Sequence, residues 1–474
     1  MEKLFHLKEN NTTVRTEIVA GLTTFMTMAY IIALNPNLLT GFGAQGGSQL
    51  WNGVFLATCI ASAIGTLVMA FAANKPFAMA PGMGLNSFFA VVVANIVTLT
   101  GMSYLQSFQT ALCIILIEGI VFIVLSVLKV REKIVEAIPL GIRLGIAPAI
   151  GLMLLNIGIG SNAGVYSSEG GPFYVMRDFF GALTPSLAKA NMGDGYPQMV
   201  LTVVTMFVGL FLIVLFAHKK VKGSVLLGML CASGIYWAGE AIFLHTNPFA
   251  ALKGASFVPA FGDMAATTLF KFDFAALGEI GWFTVVTLVI TFCIIDMFDT
   301  IGTLVGTASR AGMVDEKGDM PNMKEALLSD AIGTIAGACT GTSTITTFIE
   351  SASGVEAGGR TGLTALVAGI MFLLTIFLAP LFVAIPYAAT GPALIYVGFL
   401  MLKGFTEIDF TDYDESIGPC VMMMFTAFTG NITNGLGAGI IVHVLVKLVR
   451  GKAKEIHPIM YLLCALMVLY FIVG

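Results

Sequence analysis

Three acidic residues lie inside otherwise apolar stretches of this sequence. Asp296 and Asp299 are three residues apart within residues 290–303, a spacing that places both carboxylates on one face of a helix, and Glu350 follows a second apolar stretch. An isolated Asp at the centre of a membrane helix costs about 2.5–3.5 kcal/mol to insert. Each acid therefore needs water, a protein partner or a ligand. A hydrogen-bonded structural role is the alternative, and Asp296 fits it as well as it fits a functional role.

Two segments interrupt the apolar pattern with residues that oppose helices. In 75–89, two prolines and two glycines predict a short extended stretch around 77–83 and a helix from near Gly84. In 340–354, β-branched and hydroxyl residues precede a helix predicted from near Thr346. Non-helical backbone at membrane depth is tolerated only where it is buried in protein or lines a cavity. Paired broken helices indicate a transport site, and two cytoplasmic re-entrant loops without a ligand are the alternative.

The composition places most of the protein surface in lipid. Of the 474 residues 57% are hydrophobic and only 11% are charged, whereas soluble domains carry roughly 25% charged residues. So few charges exclude a soluble enzyme and a disordered chain. The net charge of −4 leaves no basic field for a nucleic acid. The seven cysteines form no C-x-x-C pair, which favours buried thiols over a metal site or disulfides.

The apolar runs predict an all-α polytopic membrane protein with about fourteen transmembrane segments. Several runs are shorter than the roughly 20 residues of a simple spanning helix, which is typical of half-helices that meet inside the protein. A last apolar run, 458–473, is either a fifteenth crossing or an interfacial helix. The expected segments are 18–39, 51–73, 84–97, 107–128, 138–159, 197–217, 223–241, 280–305, 325–339, 346–356, 361–383, 391–402, 416–429 and 434–449.

The two halves of the chain resemble each other. Residues 117–122 resemble 367–372, and 151–155 resemble 398–402, at offsets close to half the chain length. Each half then holds seven segments, and an odd number gives the halves opposite orientations. This 7+7 inverted repeat is typical of secondary transporters, and it places the extended stretches in spans 3 and 10.

Basic residues predict the orientation in the membrane. With fourteen spans they gather in short loops on the side of the N-terminus, which the positive-inside rule makes cytoplasmic. The long loops 161–196 and 245–279 then face outward. We expect a multi-pass protein of the cell (inner) membrane with a cytoplasmic N-terminus. The basic residues are Lys3, Lys8, Arg15, Lys75, Lys129, Arg131, Lys133, Lys219, Lys220, Lys222, Arg310, Lys317, Lys324, Arg360, Lys447, Arg450, Lys452 and Lys454.

Motifs of enzymes and cofactor sites are missing from the sequence. It contains neither G-x-x-x-x-G-K-[ST] nor H-E-x-x-H, and its five histidines do not pair at metal-ligand spacing. We therefore expect no enzymatic activity, no cofactor and no metal. The energy for transport should come from an ion gradient or from the gradient of the substrate itself.

Four motifs, in order along nearly the whole chain, resemble one family. They occupy residues 16–25, 80–86, 298–303 and 349–364, the last reading IESASGVEAGGRTGLT. The sequence is similar to the AzgA-like purine permeases of the nucleobase–cation symporter family, which have the uracil permease fold.

The resemblance implies a division of labour between two domains. A core domain combines 17–129 with 280–383, a gate domain combines 138–245 with 384–450, and 451–474 remains as an apolar tail. It also implies proton-coupled import of a purine base by an elevator motion of the core, often as a dimer.

The resemblance also assigns individual residues. Asp299 falls at the family's span-8 carboxylate, Glu350 at its span-10 carboxylate, and Phe88 where the uracil permease has an aromatic residue near the base. Asp296 has no equally clear counterpart. Ser87 replaces the alanine of many members, a small change.

The chemistry of a purine fits these assignments. Carboxylates accept N–H bonds strongly, helix N-termini donate to carbonyls, and Phe88, Phe89 or Phe348 could stack on the ring. A carboxylate in a low dielectric can also carry a proton. We expect the following residues to bind the base: Asn86, Phe88, Asp299, Thr347, Phe348 and Glu350. We expect proton coupling at Asp296, Asp299 and Glu350.

Two alternatives remain beside this hypothesis. One is an anion transporter of the same architecture, against which two acids at the site argue. The other is an uncoupled channel or facilitator. Guanine and hypoxanthine are favoured over adenine by the resemblance alone.

Overall fold

The computed structural model describes residues 2–41, 45–128, 137–163, 195–249, 252, 256–310, 313 and 320–473. Within these residues the secondary structure is helical except for two strands of three residues each. The basic residues at 129–133, Lys317 and most of the predicted outer loop 161–196 lie outside the described part of the chain.

The first of two compact units comprises Met1–Glu136 and Ser256–Ala379. Its two strands are β1 (Met79–Pro81) and β2 (Ile345–Thr347). Its helices are α1 (Glu2–Phe5), α2 (Val14–Met28), α3 (Ile31–Leu39), α4 (Gly47–Val68, extended by a π-helical turn Met69–Ala73), α5 (Met83–Thr100), α6 (Tyr104–Val127), then α10 (Phe261–Thr267), α11 (Leu277–Ile280), α12 (Trp282–Arg310), α13 (Met323–Thr340), α14 (Ser351–Glu356) and α15 (Gly362–Thr375).

The second unit comprises Ala137–Ala255 and Pro380–Val473. Its helices are α7 (Leu140–Ala163), α8 (Tyr196–His218), α9 (Ser224–Gly239, with a π-helical turn Glu240–Leu244), α16 (Ala379–Val383, which begins at the boundary), α17 (Tyr387–Met401), α18 (Tyr413–Thr429), α19 (Ile432–Val449) and α20 (Pro458–Val473). The core and gate roles expected for the two halves of the fold stay a prediction.

Eleven helical stretches of the described chain are long and apolar enough to cross a membrane. The other three expected segments are present as helices that are shorter or more polar. Helix α13 carries Lys324, Glu325 and Asp330, α14 has six residues, and α18 has seventeen. The expected break near residue 430 is confirmed, because α18 ends at Thr429 and Gly430 adopts φ +61°.

The two strands pair with each other in the interior of the first unit. They run antiparallel, with Met79 opposite Thr347 and Pro81 opposite Ile345, and every strand residue is buried. β-branched residues favour β2, and proline prevents β1 from continuing as a helix. The expectation of two extended stretches at matching places is confirmed. Their pairing supplies the backbone hydrogen bonds that a broken helix lacks.

The helices that follow the strands begin at unequal distances from them. Helix α5 begins at Met83, one residue from the expected Gly84. The prediction of a helix from near Thr346 is wrong, because Thr346 lies in β2 and α14 begins at Ser351. The reason is tertiary: Thr346 pairs with a strand 266 residues earlier in the sequence, a partner that local propensity cannot reveal.

Small residues let the helices around the strands approach closely. A Cβ built on Gly65 of α4 would lie 3.0 Å from Ile345 Cγ2, and one on Gly333 of α13 would lie 3.1 Å from the same atom. A Cβ on Gly362 would lie 2.0 Å from the Ala70 carbonyl oxygen. Such contacts are typical of membrane interiors, where close backbone approach replaces the hydrophobic driving force.

In the second unit, charged side chains join the ends of three helices. Asp414 accepts a hydrogen bond from Arg450 Nη1 at 2.6 Å and one from Lys452 Nζ at 2.5 Å. Glu415 accepts from the Gly141 N–H at 3.0 Å and pairs with Lys447 at 3.5 Å. These bonds connect α18 with the end of α19 and the start of α7.

The C-terminal helix α20 packs against α19. A Cβ built on Gly437 would lie 3.1 Å from the ring of Phe471 and 3.3 Å from Met467 Sδ. Gly437 is in the first third of α19 whereas Phe471 is near the end of α20, so the two helices run antiparallel. The apolar stretch Pro458–Ile472 is shorter than the eleven candidate spans, and its placement as a fifteenth crossing or an interfacial helix stays a prediction.

Glu17 connects α2 with the start of α15. Its carboxylate accepts from the Arg360 N–H at 2.9 Å, from the Thr361 N–H at 3.3 Å, and from the Thr364 N–H at 3.2 Å and hydroxyl at 2.6 Å. Glu17 is fully buried. It thus satisfies donors at a helix N-terminus, where negative charge is also favoured by the helix dipole.

We expect Glu17→Ala to lower the free energy of unfolding by on the order of 3 kcal/mol, because the buried donors lose a charged acceptor. Glu17→Gln should have a smaller effect, since one oxygen acceptor remains. Thermal unfolding of the purified protein in detergent measures both. Glu356→Ala, at an exposed glutamate of α14, is the matched control. Equal midpoints for Glu17→Ala and Glu356→Ala would contradict the capping role.

Candidate functional site

Two carboxylates lie beside the paired strands β1 and β2, a region that we call the crossing. Asp299 lies midway along α12, and Glu350 follows β2 by three residues. The Thr346 side chain hydrogen bonds to Asp299, and Asp299 and Glu350 are near enough for their charges to interact. A Cβ built on Gly82 would lie 3.4 Å from Asp299 Oδ2, so the chain after β1 also borders this acid. The structure therefore brings together the two acids that the sequence favoured.

Tyr30 orients Glu350. Its phenol donates a hydrogen bond of 2.6 Å to Glu350 Oε1, and its side chain is 1% exposed. Tyr30 lies in the break between α2 and α3, so the interruption of the first helix turns this residue toward the site. Sequence reasoning missed it. The available signal was a phenol within the apolar run 18–39.

Burial differs among the acids of the first unit. Asp299 and Glu350 are partly exposed. Four other acids inside the membrane segments or at their ends are 0% exposed: Glu17, Glu118, Asp296 and Asp330. Contact of a ligand with Asp299 or Glu350 stays a prediction. The buried four hold elements of the protein together.

Asp296 makes contacts away from the crossing. Thr300 Oγ1 lies 3.1 Å from Asp296 Oδ1 and 2.9 Å from Asp330 Oδ1. The hydroxyl thus joins an acid of α12 with an acid of α13. Sequence reasoning missed Asp330, although it is also an acid within an apolar segment. The observed contacts fit the structural alternative for Asp296, and its role in proton coupling stays a prediction.

Two of the three aromatic candidates, Phe88 and Phe89, pack on other rings. Phe88 is fully buried, with its ring 4.4 Å from that of Phe292 between centroids, and Phe89 makes an edge contact with Phe108 at 5.2 Å. Phe348 is 6% exposed at the end of β2. Stacking of any of them on a ligand stays a prediction.

The polar candidates hold the crossing itself. Asn86 Nδ2 donates to the Pro81 carbonyl at 3.2 Å, and the Ser343 hydroxyl donates to Asn86 Oδ1. Thr347 pairs with Met79 in the strand ladder. Asn86 thus connects α5 with the end of β1 and with the segment before β2, and direct ligand contact by Asn86 or Thr347 stays a prediction.

The start of α5 adds hydrogen-bond donors to the site. Its first intrahelical bond runs from the Asn86 N–H to the Gly82 carbonyl at 2.8 Å. The N–H groups of Met83, Gly84 and Leu85 precede that bond and carry the positive end of the helix dipole. Carboxylate acceptors and amide donors thus lie near one another. Such a pair can bind a neutral, planar molecule that has both N–H groups and a carbonyl.

Within the described residues, no group of three or more His, Cys, Asp or Glu side chains could hold a metal ion. A helical membrane protein with two broken segments paired in its interior, and two carboxylates beside them, has the architecture of transport proteins. Residues 15–435 match the sequence profile of a permease family, Xan_ur_permease. The chain belongs to this family and is a transporter rather than an enzyme, as the sequence predicted.

Two characterised relatives match over nearly their full length. The guanine/hypoxanthine permease PbuO of Bacillus subtilis is 35% identical over 99% of this chain and 99% of its own. The adenine permease AdeP of Escherichia coli is 34% identical over 99% of this chain and 95% of its own. These relatives confirm the resemblance seen in the motifs.

Solved structures share the fold at low sequence identity. The transmembrane domain of the cyanobacterial bicarbonate transporter BicA aligns with a TM-score of 0.59 at 15% identity, covering 90% of this chain and 97% of that domain. The murine anion transporter Slc26a9 aligns with a TM-score of 0.58 at 12% identity, covering 92% and 68%. The predicted polytopic fold with a 7+7 repeat is confirmed.

We expect Gly82→Ala to destabilise the crossing, because the added Cβ would lie 2.8 Å from Thr346 Oγ1. A contact under 3.0 Å forces a shift, and overpacking of this kind costs about 1–3 kcal/mol. The midpoint of thermal unfolding in detergent should fall accordingly. Gly302→Ala is the control, since it lies one helical turn from Asp299 and a Cβ there meets nothing within 4 Å. Gly82→Ala unfolding no earlier than Gly302→Ala would refute the close approach.

Proposed function

We propose that this protein imports a purine nucleobase, with guanine and hypoxanthine favoured and adenine as a further candidate. Relatives named for guanine, hypoxanthine and adenine transport match it over almost its whole length. The site supports the same class of substrate, because it offers carboxylate acceptors and amide donors to a flat molecule that carries no charge.

The observation that carries this proposal is the pair of partly exposed acids at the strand crossing. Tyr30 holds Glu350 Oε1, and Thr346 binds Asp299, so both carboxylates are oriented before a ligand arrives. Carboxylates bind N–H donors more strongly than neutral acceptors do. In this proposal Glu350 and Asp299 accept N–H bonds from the base, and the first turn of α5 donates to its carbonyl.

The remaining candidates take supporting roles in the same proposal. Phe88 and Phe348 supply aromatic faces beside the base. Asn86 holds the segment before β2 through its hydrogen bond with Ser343, and Thr347 lies opposite Met79 in the strand pair.

We further propose that import is coupled to protons at Asp299 or Glu350, with Asp296 as a secondary site. Two acids whose charges interact at membrane depth repel each other less when one of them binds a proton. Protonation and binding of a neutral base can then favour one another.

Movement in this proposal follows an elevator mechanism, in which the first unit is the core and the second unit is the gate. The protein lies in the cell membrane with a cytoplasmic N-terminus and forms a homodimer.

An anion transporter of the same fold is the second candidate. The structures that share the fold include a bicarbonate transporter and an anion transporter. Two acids at the crossing would repel an anion, and this argues for the neutral base. An uncoupled facilitator is a third candidate, which the response to a protonophore distinguishes.

Uptake of radiolabelled bases by cells that lack their own purine permeases tests the function. We expect concentrative uptake of guanine or hypoxanthine that a protonophore abolishes and that rises as the external pH falls, because an inward proton gradient drives it. Unlabelled purines should compete, and pyrimidines, ascorbate and sulfate should compete poorly. Uptake that survives the protonophore would establish a facilitator, and transport of sulfate or bicarbonate would establish an anion carrier.

Glu350→Gln tests the role of the second acid. We expect it to weaken uphill uptake by about tenfold to a hundredfold, since the base loses a charge-assisted hydrogen bond and the proton loses its carrier. Glu356→Gln, at an exposed residue of α14, the short helix that follows Glu350, should behave like the wild type. Full uphill uptake by Glu350→Gln with an unchanged pH profile would exclude Glu350 from both roles.

A further inference from the structure

Three consecutive hydroxyl residues fasten the segment before β2 to three different helices. These bonds connect Thr342 with Asn35 of α3 at 2.8 Å, Ser343 with Asn86 of α5, and Thr344 with Glu118 of α6 at 3.0 Å. All six side chains are buried. Buried polar contacts with α3, α5 and α6 therefore hold the extended segment that precedes β2 in place.

Glu118 is the one acid among these six side chains. It is 0% exposed in the middle of α6, and its Oε2 accepts the hydroxyl of Thr344. The neighbouring Gly119 packs on α13, where a Cβ would lie 2.7 Å from Ile335 Cγ1. Helix α6 is thus fixed against its neighbour, so Glu118 presents its carboxyl group from a rigid support.

Thr344 connects Glu118 with the region around Asp299. Its carbonyl accepts the N–H of Gly82 at 3.2 Å. Gly82 borders both Thr346 and Asp299, at 2.8 Å and 3.4 Å from a Cβ built on it. A continuous series of contacts therefore runs from Glu118 through Thr344 and Gly82 to Asp299.

We propose that Glu118 is a positioning residue for base recognition, which rests on the proposed function. By accepting the Thr344 hydroxyl, Glu118 fixes the position of the extended segment that precedes β2. It thereby fixes the distance between Asp299 and the first turn of α5. The role requires an oxygen acceptor at that distance, and it does not require a charge.

Four single variants test this role through uptake kinetics. Glu118→Gln keeps an oxygen acceptor of the same length, and Thr344→Ser keeps the hydroxyl donor. Glu118→Leu and Thr344→Val remove one partner each with little change in volume. We expect KM for the base within about twofold of the wild type for the first pair, and raised about tenfold for the second pair, with the maximal rate per transporter changed less. The double variant Glu118→Leu/Thr344→Val should be no worse than either single one.

Several results would overturn the inference. Equal damage from Glu118→Gln and Glu118→Leu would show that the charge or a proton matters, and an unchanged KM in Thr344→Val would show that the bond does not position the site. If Glu118→Leu does not fold, Thr344→Val and Thr344→Ser still decide the matter.

Stabilisation of the purified protein by added hypoxanthine or guanine separates this inference from the proposed function. A wild-type protein that neither purine stabilises and that takes up no purine would refute purine transport, and the purine-positioning role with it. If the wild type is stabilised and Thr344→Val is stabilised to the same extent at every base concentration, purine transport stands and only the positioning role is refuted.

Discussion

The structure of the first unit depends on one requirement of the bilayer: every backbone N–H and C=O at membrane depth needs a partner inside the protein. Prolines and glycines end two helices early, and the exposed backbone of one stretch pairs with that of the other. The Phe348 N–H continues the ladder to the Ala78 carbonyl at 3.0 Å. Because neither stretch is stable alone, the pairing also fixes where Glu350 and the start of α5 must lie.

The lack of water at membrane depth also explains how the acids are distributed. Inside a low dielectric an ionisable group must be tied to donors or kept within reach of a ligand. Glu17 is surrounded by N–H groups of a helix terminus, and Asp296 shares a threonine hydroxyl with Asp330. Asp299 and Glu350 remain partly exposed at the crossing. The fully buried acids thus hold structural elements together, and ligand binding by Asp299 and Glu350 is the proposal.

Much of this arrangement could be predicted from the sequence. Helix breakers at 76–84 and acids at 299 and 350 carry local signals, so the extended stretches, the acids and the family were accessible. The role of Tyr30 and the start of α14 could not be predicted, because each depends on a contact between residues about 270 or more positions apart in the sequence. Glu17 is another such case: its sequence context resembles an ordinary first helical turn, and its partners lie more than 340 positions away.

The long separation between the paired strands also bears on how the protein is made. Ala80 is synthesised 266 residues before its partner Thr346. At about 5–20 residues per second, the interval is roughly 13–50 s. During that time the N-terminal segments stand in the membrane with an unpaired strand edge. The second unit begins to be translated within this interval, so the ribosome releases its first helices while the first unit is still incomplete. Until β2 is synthesised, the backbone groups of β1 lack the partners that they have in the folded protein.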